Sequence, residues 1–405
     1  MNNIGTEHRS NIPTLTAPRH RVDESAELSE LRLRVQELLD RIATPERLNE
    51  FDESETYDLE MYRDLGRAGL ISLGASLDGP GPSHAAQSVV LEELGARPTS
   101  IAVSMVVQYM GVQLLHSYGT PEQRKEFLAP LHTGDAKMSF ALSEAAGGTD
   151  IARAMSTRAT LLPDGNYSIT GEKRWIGGAM DADYLIVLAR TSEIDRSAID
   201  GITMFLVPRS SSGIHTQEID TMGIRGLAQC DIQLQDVQVP AANVLGQVDR
   251  GFRQVLATLN GERLNGAAVA LGIARGALDC AVLWAKQRQA FGQPVGSFQA
   301  LQHSLVDASL KIETARLMLQ KATQSADTAD SPNETLSAMA KLAASDAATT
   351  TTDAGMRVMA GWGFFRGLPM QRYFRDARLY TFAPLTDEMT RNYIGEKHLG
   401  LPRSF

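Results

Sequence analysis

The spacing of apolar residues changes twice along this chain, and those two changes constrain the fold more than any single motif. Near the start, Leu28, Leu31, Val35, Leu38 and Ile42 recur at three- and four-residue steps, the signature of a helix with one apolar stripe. Gly119-Thr120-Pro121-Glu122 reads as a helix start. Thr120 caps, Pro121 suits the first turn and an acidic residue follows at the positive end of the helix dipole. That helix should run through Phe127 and Leu131 and break at Gly134. The pattern then shortens. Tyr184-Leu185-Ile186-Val187-Leu188 and Thr203-Met204-Phe205-Leu206-Val207 are brief apolar runs bounded by Asp, Gly and Pro, as buried strands are. Asp231-Ile232-Gln233-Leu234 alternates, and Val237 and Val239 resume the alternation one step out of phase after Asp236, which predicts a bulge. From Phe252 onward helical spacing returns (Phe252, Val255, Leu256, Leu259) and continues to Met359-Ala360, interrupted at Ser331-Pro332-Asn333.

The order is therefore helix, β, helix. It divides the chain into an N-terminal arm at 1–22, a helical domain at 23–138, a β domain at 139–247 and a second helical domain at 248–405. A length of 405 residues requires more than one core. The net charge of −9 disfavours nucleic acid, whose phosphates need a basic face. Cys230 and Cys280 are the only cysteines, too few for a disulfide framework, so a reducing, cytoplasmic setting is expected. No apolar run reaches the roughly 18 residues of a membrane span, and the arm lacks an apolar secretory core. The 8 histidines show no metal-ligand spacing, so no metal is expected.

Two short stretches carry the chemistry. Ser143-Glu144-Ala145-Ala146-Gly147-Gly148-Thr149-Asp150 gathers hydroxyls, glycines and backbone N–H groups into one polar loop, a composition suited to an anionic cofactor. Trp175-Ile176-Gly177-Gly178, after Gly171-Glu172-Lys173, puts a flat ring at the edge of a strand-like run, where it can lie against a planar ligand. A dinucleotide fold of the Gly-X-Gly-X-X-Gly kind is rejected. Gly361-Trp362-Gly363 trails a helical segment rather than a strand, and its third glycine, Gly367, comes one position late.

These segments, in this order, resemble the acyl-CoA dehydrogenase family over nearly the whole chain from about residue 24. The resemblance implies an N-terminal helical domain, a middle β domain and a C-terminal four-helix bundle, with FAD as cofactor. The polar loop is similar to the family's Thr-Glu-Pro-x-x-Gly-Ser-Asp. Ser143 and Thr149 keep the hydroxyls, Gly148 keeps the loop's glycine, and Ala145 replaces its proline. By the same resemblance Phe140, Leu142 and Ser143 contact the flavin ring, and Thr149 lies by the pyrophosphate and the substrate's pantetheine arm. Trp175 and Ile176 occupy the ring-packing segment. Gly177 replaces a threonine whose hydroxyl reaches the flavin N5 in relatives. Met222-Gly223-Ile224-Arg225-Gly226, Val239-Pro240 and Asn243-Val244-Leu245-Gly246 look like the family's exit from the β domain. Arg288, Phe291 and Gln299 match an Arg-x-x-Phe-Gly…Gln element that reaches a neighbouring subunit's FAD. Arg357 and Gly361 stand where the family clamps the neighbour's ADP portion, with arginine in place of glutamine. A homo-oligomer follows from this, a tetramer as in most relatives.

The resemblance fails at one place. Many relatives carry their catalytic carboxylate in Tyr-Glu-Gly-Thr-Ser-Glu, shortly after Arg-Asp-Ala-Arg. Here Arg375-Asp376-Ala377-Arg378 is intact and Thr386-Asp387-Glu388 closes the element, in the segment that in relatives turns Thr386 and Glu388 toward the outer part of the cofactor. Those anchors put Pro384 at the catalytic position. Proline is no base and has no N–H to offer a thioester oxygen. Isovaleryl-type members instead place the base on a helix, in a Glu-Arg pair, and Gly261-Glu262-Arg263-Leu264 stands at that point. Glu262 is then the candidate base and Arg263 a substrate contact or a partner of Glu262. Its alternative is a solvated glutamate paired with Arg263, and Asp387 and Glu388 are lesser candidates. The expected function is α,β-dehydrogenation of an acyl thioester, on CoA or a carrier protein, with electron-transferring flavoprotein as reoxidant. Two rivals stay open. One is another flavoenzyme on the same fold (enoyl thioester reductase, desulfinase-type lyase or flavin monooxygenase), and the other is a non-enzymatic flavin scaffold.

Overall fold

The computed structural model describes residues 24–194, 196–329 and 332–404. The arm expected at 1–22 lies outside them. The N-terminal helices are α1 (Ala26–Ile42), α2 (Pro45–Ser54), α3 (Leu59–Arg67), α4 (His84–Gly95) and α5 (Thr99–Tyr118). Sequence chemistry explains their starts. Ser25, Thr44, Asp58 and Ser83 each accept a backbone N–H from the first turn. At Thr120 the cap is reciprocal with Gln123. The helical segments that follow include a π-helical stretch, Arg124–Leu128, and end at Gly134, whose φ of 75° terminates them.

The buried face of α1 is rotated from the apolar stripe. Arg32, Val35, Gln36 and Leu39 are the buried residues, while Leu31, Leu38 and Ile42 are half-buried. The cause is a pair of buried carboxylates on α4. Glu93 accepts from Arg32 at 2.6 Å and Gln36 at 2.9 Å, and Glu92 accepts from Arg32 at 3.1 Å.

The middle domain is one sheet of β1 (Met138–Ala141), β2 (Arg158–Leu161), β3 (Tyr167–Gly177), β4 (Tyr184–Arg190), β5 (Ile202–Pro208), β6 (Ile214–Ile219), β7 (Gln229–Val239) and β8 (Val244–Leu245). The strand order is β6-β7-β3-β2-β4-β5-β8, with β1 parallel to β4. The continuous apolar runs of β4 and β5 reflect burial on both faces. Ile186, Leu188, Met204 and Leu206 pack into the helical core, whereas Leu185, Val187, Phe205 and Val207 pack into the sheet's own core. The bulge expected after Asp236 is present, with Asp236 at φ 51° where the β3–β7 register slips.

The C-terminal part holds α6 (Gly251–Gln287), α7 (Gln299–Thr328), α8 (Glu334–Met359), α9 (Met370–Ala377) and α10 (Asp387–Lys397). Asn333 caps α8. By length and composition α6 would pass for a membrane span, but most of that stretch is buried, as in the core helix of a globular protein. It packs on α4 backbone to backbone. A side-chain carbon at Gly95 would lie 2.5 Å from the Val269 carbonyl oxygen, so this approach admits only glycine.

Candidate active site

The two cofactor motifs meet. Arg174 donates its backbone N–H to the Ser143 carbonyl at 2.9 Å, and Lys173 Nζ donates to the Leu142 carbonyl at 3.2 Å. Their organiser is Glu144, to which no motif in the sequence assigns a role. Its buried carboxylate accepts from Lys173 Nζ at 2.8 Å, Ser156 N at 2.6 Å, Ser156 Oγ at 2.7 Å and Thr157 N at 3.1 Å. Burial would raise its pKa, but Lys173 and these donors win and hold it at about 2. The loop is thus closed around a fixed charge, and Ser143 and Thr149 project from it with no hydrogen bond to another side chain among the described residues.

Trp175 owes its position to a second bulge, where three steps on β3 (Lys173 to Ile176) match two on β7 (Ile232 to Cys230). The residue sits at φ 62° and is 54% exposed, with the Arg174 guanidinium 4.9 Å from its ring centroid. Among non-glycine residues such a backbone is uncommon, and here it turns an aromatic ring out of the sheet. Ile176 points the other way into the sheet core, so only its backbone is available to a ligand. Gly177 bares its α-carbon on the outer face, and its carbonyl accepts from Ser139 Oγ at 2.6 Å. Phe140 on β1 and Leu142 just beyond its end alternate with Ser139 and Ala141 and lie half-buried on the helical side. Lys137 was not foreseen. It is fully buried, donates to the Gly178 carbonyl at 3.3 Å and sits 3.9 Å from the Tyr57 ring centroid; burial lowers its pKa to about 8. The alternation Lys137, Ser139, Ala141 was the signal available for it. An exposed ring, a bare glycine edge and a loop with free hydroxyls fit a flat, anionic cofactor.

A second group lies at the far end of the bundle. Arg288 follows α6, and Phe291 tips the small hairpin Gln289–Ala290/Gln293–Pro294, 95% exposed at φ 52°. Gln299 begins α7 and is exposed. The Trp284–Trp362 ring contact, 5.6 Å between centroids, brings Arg357 and Gly361 to the same end. Arg357 pairs with Asp353 at 2.8 Å. Among the described residues no hydrogen bond, ion pair or ring contact joins this group to the Ser143–Gly177 edge.

The third group surrounds Glu262. A side-chain carbon on Gly266, one helical turn further on, would lie 3.3 Å from Pro384 Cδ and 3.6 Å from Tyr380 Cε1. The two alternative base positions therefore flank one place on α6. On the preceding residue, Gly261, the His84 ring and the Gln113 amide close in from α4 and α5. Arg263 turns away from Glu262, donating to Asn260 Oδ1 at 2.7 Å and lying 5.6 Å from the Tyr393 ring centroid. Among the described residues Glu262 makes no hydrogen bond or ion pair. Burial raises its pKa to about 7, against a smaller lowering by Arg263. Asp387, by contrast, is committed to Lys341 Nζ at 2.6 Å and Ser345 Oγ at 2.9 Å. Thr386 is spent as the N-cap of α10, and Glu388 is exposed in its first turn.

Residues 25–135, 139–237 and 249–399 match the acyl-CoA dehydrogenase N-terminal, middle and C-terminal domains. The chain belongs to the acyl-CoA dehydrogenase family. It is 34% identical to the bovine mitochondrial short-chain specific acyl-CoA dehydrogenase, over 92% of this chain and 91% of that one. It is 32% identical to subunit CarC of the caffeyl-CoA reductase–Etf complex of Acetobacterium woodii, over 90% and 96% respectively. Its fold superposes on butyryl-CoA dehydrogenase from Megasphaera elsdenii with a TM-score of 0.87 at 29% identity, covering 94% of this chain and 100% of that one. Membership makes the protein an FAD-dependent oxidoreductase acting on CH–CH donors, with the family fold expected from its sequence.

Proposed function

We propose that this member dehydrogenates an acyl thioester between Cα and Cβ with Glu262 as the base. The observation that carries the proposal is a half-enclosed carboxylate with no protein partner, one turn from Gly266 and Pro384, whose pKa burial lifts to about 7. A base works best when its pKa lies near the operating pH. FAD, when bound against Trp175 and Gly177, supplies the acceptor for the Cβ hydride. Glu262 takes the Cα proton on its carboxylate oxygen. Pro384 offers no N–H to the thioester oxygen, so the donors that take up charge there come from elsewhere. Arg263, held by Asn260 and Tyr393, is placed to meet the pantetheine phosphates rather than to neutralise Glu262.

Several finer features belong to the same proposal. Gly148 and Thr149 hold the cofactor's diphosphate side, and Phe140, Leu142, Ser143 and Trp175 its ring. Arg288, Phe291, Gln299, Arg357 and Gly361, exposed and apart from that edge, serve the FAD of a neighbouring subunit in a homotetramer. Electron-transferring flavoprotein reoxidises the enzyme, an inference supported by the Etf partner named for the Acetobacterium woodii relative. Anaerobic mixing of the holoenzyme with a panel of saturated acyl-CoA and carrier-linked thioesters tests the reaction. Bleaching of the flavin band without added reductant is expected for at least one. An enzyme that oxidises no saturated thioester, yet reduces an enoyl thioester when given reductant, refutes the direction proposed.

A further inference from the structure

The outer face beside Trp175 carries one polar side chain that the proposed reaction does not use. Gly177 and Gln229 are register partners on β3 and β7, so both project to the same face, opposite Ile176 and Cys230. The bare α-carbon of Gly177 leaves a notch, and the Gln229 amide fills it. A side-chain carbon on Gly177 would lie 3.3 Å from Gln229 Nε2 and 3.6 Å from its Oε1.

Three backbone groups at Gly177 and Gly178 are already committed. The Gly177 carbonyl accepts from Ser139, the Gly178 N–H donates to the Ala228 carbonyl at 2.7 Å, and the Gly178 carbonyl accepts from Lys137. The Gln229 amide is not. Its Nε2 reaches the Leu227 carbonyl only at 3.4 Å, the outer limit of a hydrogen bond, and Oε1 accepts nothing among the described residues. A half-exposed primary amide with spare donors, lying across a glycine notch next to an outward-turned tryptophan, is placed to bond the polar edge of a flat ring.

We infer that Gln229 donates a hydrogen bond through Nε2 to the isoalloxazine ring of FAD, supplying from β7 the side-chain contact that residue 177 lacks. The inference rests on the reading that the Trp175–Gly177 edge faces the flavin. A donor at a ring atom that gains electron density on reduction favours the reduced form. Removing it therefore lowers the equilibrium constant for two-electron reduction by about tenfold, about 30 mV for such a couple.

The test uses purified holoenzyme of Gln229→Glu, which keeps the shape and loses the donor, and of Gln229→Ala. Expected results are a shifted flavin absorption band and a lowered midpoint potential in both. Gly177→Thr placed on the Gln229→Ala background should return the potential toward the parent, because its hydroxyl enters the vacated notch. Trp175→Phe separates the two levels of inference. If it alters the flavin spectrum while both Gln229 variants leave spectrum and potential unchanged, the Gln229 contact is refuted and the edge still faces the ring. If none of the three changes the flavin, the edge itself is misassigned, and the Gln229 contact falls with it.

Discussion

A buried pair of carboxylates and a half-buried single one, on adjoining helices, have opposite fates. Glu92 and Glu93 on α4 lie among the guanidiniums of Arg32, Arg275 and Arg316. Glu93 meets Arg275 at 2.6 and 2.8 Å, and Glu92 meets Arg316 at 3.1 Å. Glu262 on α6 faces no such partner. Desolvation pushes all three pKa values upward, and charge decides the outcome. The arginines hold Glu93 at about 2 and Glu92 below the usual carboxylate range, whereas Glu262 rises to about 7. The first pair stays ionised at neutral pH and ties α1, α4, α6 and α7 together. The second site is left poised between protonation states. An unpaired, desolvated carboxylate is costly to stability, and such groups gather where chemistry is done.

The largest effect should come from removing the poised group. Glu262→Gln keeps the shape and loses the proton acceptor, so flavin reduction by a good substrate should fall on the order of 10²–10⁴-fold. Thioester binding, read from the shifted flavin spectrum, should persist. Flavin reduction at the parent rate would remove Glu262 from the mechanism.

The paired group should respond in stability rather than rate. Glu93→Gln removes the carboxylate that both Arg32 and Arg275 meet at 2.6 Å and leaves Arg275 with Glu92 alone and Arg32 with Glu92 and Glu24. Removing one partner from a buried ion pair in this way costs about 3–5 kcal/mol. Urea denaturation at pH 7 of the FAD-loaded protein measures it. The sign with pH follows from the depressed folded pKa. The stabilisation from Glu93 is present above the unfolded value of 4.5 and is lost as pH falls toward about 2. A variant as stable as the parent would show the network to be electrostatically idle.

The helices, the two-sided strands and one of the two bulges trace to local signals of period and turn chemistry. The bulge after Asp236 was legible as a phase slip in the apolar pattern. The buried face of α1 was not, because Arg32 and Gln36 read as solvent-facing until Glu92 and Glu93, some sixty residues away, supply their partners. The site divides in the same manner. Trp175, Glu262 and the hydroxyls of the loop are visible as residue types in a familiar order. Glu144 and Lys137 find their partners, Lys173 and Gly178, only once β3 is folded against them, and Gln229 meets Gly177 only through the pairing of β3 with β7.

The pH profile sharpens the contrast with a smaller effect. Because the folded pKa of Glu262 is raised, the native state holds its proton between pH 4.5 and about 7, and stability falls as pH rises through that window. Activity runs the opposite way. The rate of flavin reduction should climb about tenfold per pH unit below about 7 and level off above it. A profile with its lower inflection near 4 would mean that Glu262 gains a charged partner when substrate binds.

The smallest effect expected is a gain. On the Glu262→Gln background, Pro384→Glu introduces a carboxylate from the loop that abuts Gly266 and also restores the N–H that proline lacks. The loop approaches α6 one turn from Glu262, so the new carboxylate reaches the same enclosed space from another wall. It will not inherit the geometry of a residue fixed on a helix. A misplacement of about 1 Å costs on the order of 10² in rate, so of the two to four decades lost to Glu262→Gln, about one should return. The measurement is stopped-flow bleaching of the flavin with the best thioester of the panel. A return of about tenfold would show that what matters at this site is a carboxylate without a partner, supplied by either wall. No return, with FAD and thioester still bound, would show that the α6 position does more than carry the proton acceptor.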